Sequence, residues 1–323
     1  MGALILTVTR ACNLRCSYCP TVKEGWPSLS IADAKRALTL FVERYGGGDI
    51  KLFGGEPLLV PEVVEAVFRM GAELPGIRRI YLSTNGLGLS TEWLERVRDN
   101  PKAVLTLSMD GAPDDHRRLR RALDGVPDAY DHIMGLLPEL LATPRVVVTQ
   151  TIAPGTAARA AANFDHLRSL GFKRFNLLPG YYLPWREEQL AELQTGFDGI
   201  AATVRAAWTA GDYVYLRNLF TRAATPFFNA GLVVDADRRI HPTNVGLSGS
   251  LANLLDRTTV GTLDDPPTPE ALAERGAAVN ALLQAELPER VWQSTLAVDA
   301  QLTGFCRELY PDYVAFRAAR RAA

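Results

Sequence analysis

The stretch Ala3-Leu4-Ile5-Leu6-Thr7-Val8-Thr9-Arg10-Ala11-Cys12-Asn13-Leu14-Arg15-Cys16-Ser17-Tyr18-Cys19 decides how this chain is read. An apolar, β-rich run ends at Thr9, and three thiols follow at CxxxCxxC spacing. Thiolates are the usual protein ligands of iron-sulfur clusters, and a loop with such short spacings can wrap three irons of a cubane. Three thiols are one fewer than a complete cluster site needs, so one iron would stay open to a small molecule. Closed zinc sites, by contrast, are almost always four-coordinate.

Downstream, β-rich runs alternate with helical patterns. The strand candidates are Ala3–Thr9, Asp49–Phe53, Arg78–Ser83, Ala103–Met109, Arg145–Ile152 and Arg174–Leu178. Between them, apolar residues recur at helical spacing over Ile31–Tyr45, Pro61–Gly71, Thr91–Arg98, Ala129–Leu141 and Thr156–Leu170. Ser30 suits an N-cap with Asp33 three residues on, Pro61 a first helical turn and Gly171 a C-cap. Strands alternating with helices imply an α/β fold with a parallel sheet of right-handed crossovers. Chemistry in such a sheet belongs at the carboxyl ends of the strands. Gly54-Gly55-Glu56-Pro57, Ser83-Thr84-Asn85-Gly86 and Ser108-Met109-Asp110-Gly111 all fall there.

These motifs together resemble the radical S-adenosylmethionine (SAM) superfamily, in which CxxxCxxC holds a 4Fe-4S cluster and the unique iron binds the methionine part of SAM. The aromatic Tyr18 before the third cysteine and the GGEP run Gly54–Pro57 match that family in order and separation. Ser108 to Arg120, SMDGAPDDHRRLR, is similar to the SxDGxxxxHDxxR pattern of its SPASM/twitch-like branch, with Arg117 standing where the pattern has Asp. The resemblance implies a partial (β/α)6 TIM-like barrel over residues 1–180, with a C-terminal α+β module, degenerate SPASM/twitch-like, over 181–323. It implies metal ligands Cys12, Cys16 and Cys19. It also implies SAM contacts at Tyr18, Gly54, Gly55, Glu56, Pro57, Ser83, Asn85, Ser108, Asp110 and Arg120, with Gln150 and Leu178 beside ribose and adenine. Read bare, Asp110-Gly111 is a common turn, Asn85 caps a turn, and Arg120 lies in a charged helix face.

In the second half, Pro184–Thr209 reads as a long helix, Leu232–Pro242 as a hairpin, and Pro269–Leu287, Arg290–Leu302 and Asp312–Ala323 as helices. Arg239 to Asn244 is similar to the SPASM hairpin that normally ends in Pro-Cys-Asp, but Thr243 and Asn244 replace the auxiliary-cluster cysteine and the base. An auxiliary cluster is expected to be absent, and the resemblance then implies redox-neutral chemistry such as epimerisation, rearrangement, elimination or radical addition. Cys306 is the candidate hydrogen-atom donor, with a small buried hydrophobe as its plain alternative. Tyr181, Tyr182 and Trp185 read as pocket lining or domain-junction core, and His241 as a hairpin surface residue.

Composition narrows the partners. Lys plus Arg number 35 against 36 for Asp plus Glu, a net charge of -1 that offers no long-range attraction for nucleic acid or an anionic membrane. No apolar run approaches the roughly 20 residues that span a bilayer. Four cysteines, three of them clustered, suit a reducing cytoplasm. The expected partners are a flavodoxin or ferredoxin as electron donor and a peptide or peptide-like substrate in natural-product maturation. A small molecule (sugar, aminoglycoside or nucleoside) is the alternative, and a non-catalytic cluster-bearing SAM sensor or scaffold a third. With the first strand beginning at the N-terminus of this sequence, no leader-peptide recognition domain is expected ahead of it.

Overall fold

A computed structural model describes residues 2–19, 21, 23–220, 230–244 and 254–322. Its strands are β1 (Gly2–Thr9), β2 (Leu14–Cys16), β3 (Gly48–Gly54), β4 (Ile77–Thr84), β5 (Ala103–Ser108), β6 (Arg120–Ala122), β7 (Val146–Ile152), β8 (Arg174–Pro179), β9 (Tyr215–Leu216), β10 (Ala230–Val234), β11 (Arg239–Thr243) and β12 (Gly261–Thr262). Its helices are α1 (Ile31–Tyr45), α2 (Pro61–Glu73), α3 (Thr91–Asp99), α4 (Pro113–Leu119), α5 (Ala129–Gly135), α6 (Leu137–Ala142), α7 (Ala160–Ser169), α8 (Glu187–Thr209), α9 (Leu255–Thr258), α10 (Pro269–Ala277), α11 (Val279–Glu286) and α12 (Glu289–Ala322). The six expected strands are present as β1, β3, β4, β5, β7 and β8.

The chain forms two compact units. The first comprises residues 1–107, 120–146 and 223–287. Its sheet runs β12-β11-β10-β1-β3-β4-β5, parallel from β10 through β5, with β11 and β12 antiparallel at the edge. Alternation sorts the side chains of this sheet. Ile50 and Ile80 turn toward α2, where a Cβ added to Gly71 would meet both, and Leu107 turns toward Ile133 of α5. Residues one position away point to the face free of α2 and α5. Ser30 caps α1 as expected by accepting the Asp33 N–H, and the Ser30 N–H donates in turn to the Asp33 carboxylate, which makes a capping box. The hairpin turn is tied to the end of β1 by a buried ion pair between Arg10 and Asp235, with the Arg10 guanidinium 3.5 Å from the Trp26 ring centroid.

The second unit comprises residues 108–119, 147–222 and 288–323. Here β7, β8 and β9 are parallel, Phe164 of α7 meets Phe175 of β8 at 4.8 Å, and Phe197 of α8 stacks on Phe305 of α12 at 5.0 Å between ring centroids.

Several helices differ from expectation. Ala129–Leu141 is two helices, because Pro138 lacks the N–H a continuous ladder needs and instead occupies the first turn of α6. Pro269–Leu287 divides at Ala278 into α10 and α11. Thr156–Leu170 begins as a 3-10 turn over Pro154–Arg159 before α7. In the opposite sense, Arg290–Leu302 and Asp312–Ala323 are one helix, α12, which continues through Pro311.

Candidate active site

The cysteine loop leaves β1 and is held by two supports within the first unit. One is the end of β3, where the Gly55 N–H donates to the Thr9 carbonyl and the Glu56 N–H to the Ala11 carbonyl, both at 2.8 Å. A Cβ on Gly55 would lie 2.1 Å from the Ala11 carbonyl oxygen, so a side chain there would push the two segments apart. The other support is the antiparallel pair β2–β6, which sets Cys16 opposite Arg120 and Arg15 opposite Arg121. This ladder explains how Arg120, distant in sequence, reaches the loop. Its guanidinium lies 5.4 Å from the Tyr18 ring centroid.

Glu56 is 1% exposed. Its carboxylate accepts the Thr84 hydroxyl and the Asn85 N–H at 2.7 Å and the Leu58 N–H at 3.0 Å. Burial raises its pKa, opposed by those three hydrogen bonds and by the charge of Arg120. The carboxylate thus latches the end of β3 to the end of β4 and orients Asn85. Pro57 opens the buried turn that follows. From Asn85, Nδ2 donates to the Asn13 side-chain oxygen at 2.8 Å and lies 3.9 Å from Cys12 Sγ. Ser83 is half-buried on β4, opposite Thr106.

All three loop thiols are half-buried and outside any disulfide. Cys12 Sγ accepts the Leu14 N–H at 3.5 Å, and Cys19 Sγ accepts from Lys23 Nζ at 3.5 Å. Burial pushes the Cys12 pKa up, while the Leu14 N–H favours its thiolate. Among the described residues, no three or more His, Cys, Asp or Glu side chains converge where a single ion would sit. A lone zinc or iron needs that convergence, whereas a cubane takes each thiolate on a different iron. Three half-buried thiols on one short loop, with N–H donors at Cys12 and Cys19, fit a cubane.

In the second unit, the Ser-Met-Asp-Gly motif builds a turn. Asp110 Oδ1 accepts the Thr151 N–H at 3.0 Å, and the Asp110 N–H donates to His116 Nδ1 at 3.4 Å. A Cβ on Gly111 would lie 2.2 Å from Asn163 Cγ. Asp115, two-pronged on Arg159 at 2.7 Å and bonded to Asn163 at 2.8 Å, is held below the usual carboxylate range by the Arg159 contact first. Ser108 is half-buried at the end of β5, and Leu178 is half-buried opposite Thr151. Gln150 is turned toward α7, its Nε2 donating to the Ala160 carbonyl at 3.0 Å.

Cys306 is half-buried on α12, and burial pushes its pKa up to about 12, which keeps it a neutral thiol. The Tyr181 hydroxyl donates to Asp299 Oδ1 at 3.0 Å, and the Trp185 indole donates to the Gly180 carbonyl at 2.7 Å. His241, expected at the hairpin surface, is buried at 2% exposure because α9 covers it, its Nδ1 lying 3.2 Å from Thr258 Oγ1. Sequence reasoning passed over the β2–β6 ladder, Lys23 and Asn13. Three-residue strands carry too little alternation to register as strands.

A parallel α/β sheet, a three-thiol loop at the carboxyl end of its first strand and a GGEP segment hydrogen-bonded to that loop define the class of this α/β protein. Residues 6–193 match the family model described as "Radical SAM superfamily", and the chain belongs to that superfamily. It is 40% identical over 113 residues to molybdenum cofactor biosynthesis protein 1 of Mus musculus, covering 33% of this chain and 17% of that protein. It is 33% identical over 149 residues to GTP 3',8-cyclase of Chlorobaculum tepidum, covering 44% of this chain and 42% of that one. The chain thus spans less than half the length of these curated relatives. Among solved structures, histidine-tagged anSMEcpe with bound AdoMet superposes with a TM-score of 0.70 at 16% identity, covering 96% of this chain and 98% of that one. Streptococcus suis SuiB bound to the precursor peptide SuiA gives 0.60 at 12% identity, covering 81% and 62%. The fold is therefore shared with these two structures across most of the chain.

Proposed function

We propose that this enzyme cleaves SAM reductively and uses the 5'-deoxyadenosyl radical to abstract hydrogen from its substrate in a redox-neutral reaction such as epimerisation, rearrangement or radical addition. The observation that carries the reading is the half-buried three-thiol loop fixed by Gly55, Glu56 and Arg120. When bound, the 4Fe-4S cluster supplies the electron that opens the sulfonium of SAM. Cys12, Cys16 and Cys19 would hold its three ligated irons. Asn85 and Lys23 direct N–H groups toward Cys12 and Cys19. Arg120, kept beside Cys16 by the β2–β6 ladder, would hold the methionine carboxylate.

Residues 1–180 would carry the cofactors and 181–323 the substrate contacts, in a cytoplasmic protein served by a low-potential flavodoxin or ferredoxin. A peptide or peptide-like substrate is supported by the fold shared with SuiB, solved with its precursor peptide. A small molecule such as a sugar, aminoglycoside or nucleoside is the second reading, supported by the match to GTP 3',8-cyclase of Chlorobaculum tepidum.

Anaerobic reconstitution with iron, sulfide, SAM and a strong reductant tests the reaction. Release of 5'-deoxyadenosine is expected. Its absence from a fully loaded cluster would leave a SAM sensor. Deuterium uptake into product that disappears in Cys306→Ala would identify epimerisation with the neutral Cys306 thiol as donor.

A further inference from the structure

Residues three and four apart share one face of a helix. In the C-terminal half of α12 that spacing joins Arg307, Tyr310, Val314, Arg317 and Arg321 into a single outward stripe. Tyr310 is 47% and Val314 49% exposed, Arg307 and Arg321 are exposed, and Arg317 is half-buried. A groove of about 300 Å³ is lined by Tyr313, Val314, Arg317, Ala318 and Arg321. Phe220, 46% exposed, borders the stripe with its ring centroid 6.4 Å from that of Tyr310. To one side, the guanidinium groups of Arg174 and Arg320 lie 5.3 and 5.5 Å from the Tyr213 ring centroid. All of these residues belong to the second unit.

Charge on this surface has one sign. Among the described residues, Arg174, Arg307, Arg317, Arg320 and Arg321 form no ion pair with a carboxylate. Glu308 and Asp312 fall on other sides of the helix by the same periodicity, and Asp312 is bound to Arg205 at 2.7 Å. A complement to the helix dipole acts only within the last turn. It accounts for Arg320 and Arg321, but not for Arg307 or for the exposed Tyr310 and Val314. Arg, Tyr and Phe without Lys is the composition enriched at the centre of protein–protein interfaces. A twofold contact with a second copy would set this face against itself, and with no carboxylate on the stripe arginine would meet arginine. Nucleic acid gains no long-range attraction from a chain of net charge -1, and it leaves Val314 without an apolar partner. An acidic helix answers both features, with carboxylates for the arginines and apolar side chains at matching spacing for Tyr310, Val314 and Phe220.

We infer that the C-terminal half of α12 is a docking surface for an acidic amphipathic helix of a partner protein. The surface lies by the amino end of β8, which Arg174 opens, rather than by the carboxyl end where Leu178 sits. Fluorescence anisotropy on the full chain, purified anaerobically with its cluster, would use a labelled peptide of three Glu-Leu-Glu-Ala-Leu-Glu-Ala repeats, whose leucines are three and four apart. The counterparts are the same peptide with Lys for Glu, a scrambled peptide of the same composition, and an oligothymidylate. The acidic amphipathic peptide is expected to bind in preference to all three, more weakly as salt rises. Arg307→Glu, Arg321→Glu and Val314→Ser should each weaken it about tenfold. Arg290→Glu, on the same helix but off the stripe, should leave it unchanged. All four positions are exposed, so far-ultraviolet circular dichroism should match wild type in every variant. Equal binding of the scrambled peptide, preference for the basic peptide or the oligothymidylate, no binding at millimolar peptide, or an equal loss in Arg290→Glu would overturn the assignment. So would a dimer of the free protein that Val314→Ser dissociates in sedimentation, since a second copy would then hold the surface. Release of 5'-deoxyadenosine is unaffected by these outcomes, so failure here and failure of the radical reading remain distinct.

Discussion

Glu56 accepts three hydrogen bonds at 1% exposure, two on Oε1 and one on Oε2, so both carboxyl oxygens face donors. Glu56→Gln would set an amide N–H against one of these donors. It should cost about 1–3 kcal/mol in urea denaturation and loosen Asn85, whose N–H is one of the three. His241 sets a pH dependence of its own. Its folded pKa of about 4 lies below the reference 6.5, so between those values the unfolded chain binds the extra proton. Stability should therefore be complete above pH 6.5 and fall as the pH drops toward 4, by at most about 3 kcal/mol. Melting curves across that range for wild type and His241→Gln should differ in slope, the variant being flatter. At this scale, the cysteine loop and the GGEP segment with Glu56 were legible because their spacing is local. Burial of His241 was not, since it depends on α9, whose Thr258 is 17 positions away in sequence.

Among the elements, α12 is the one whose continuity the sequence argues against. Pro311 removes a ladder hydrogen bond and crowds the preceding turn, at a cost of about 3 kcal/mol in a free helix. The helix persists because its buried stripe is engaged on both sides of the proline. Phe305 stacks on Phe197 at 5.0 Å, while Tyr313 and Phe316 meet Trp208 at 5.6 and 5.9 Å between ring centroids. Pro311→Ala should thus stabilise the protein by about 1–3 kcal/mol, read as a higher urea midpoint at unchanged slope. The alternating strands and most helix starts were legible from periodicity and caps, as at Ser30 and Pro61. The β2–β6 ladder was not, because it is specified by closure of a distant segment onto the cysteine loop.

Across the whole molecule, removing one ligand should remove the cluster and spare the fold. Cys16→Ala is expected to lower iron and sulfide from about four each per chain toward zero after anaerobic reconstitution. Far-ultraviolet circular dichroism should stay unchanged, because Cys16 is half-buried and its strand pairing uses backbone groups alone. Retention of a full cluster would place the ligands elsewhere. Interleaving of the chain between two units, with β6 returning to pair with β2 and the hairpin strands to the sheet that contains β1, cannot be read from a linear pattern. By itself, the sequence determined the three-thiol loop and the α/β class, since thiol spacing and apolar period are properties of neighbours along the chain. Only the tertiary structure decided that Arg120 stands opposite Cys16, that Gln150 turns toward α7 and that His241 is buried under α9. Pairing and desolvation depend on which remote segments meet, and that is settled only when the chain closes on itself.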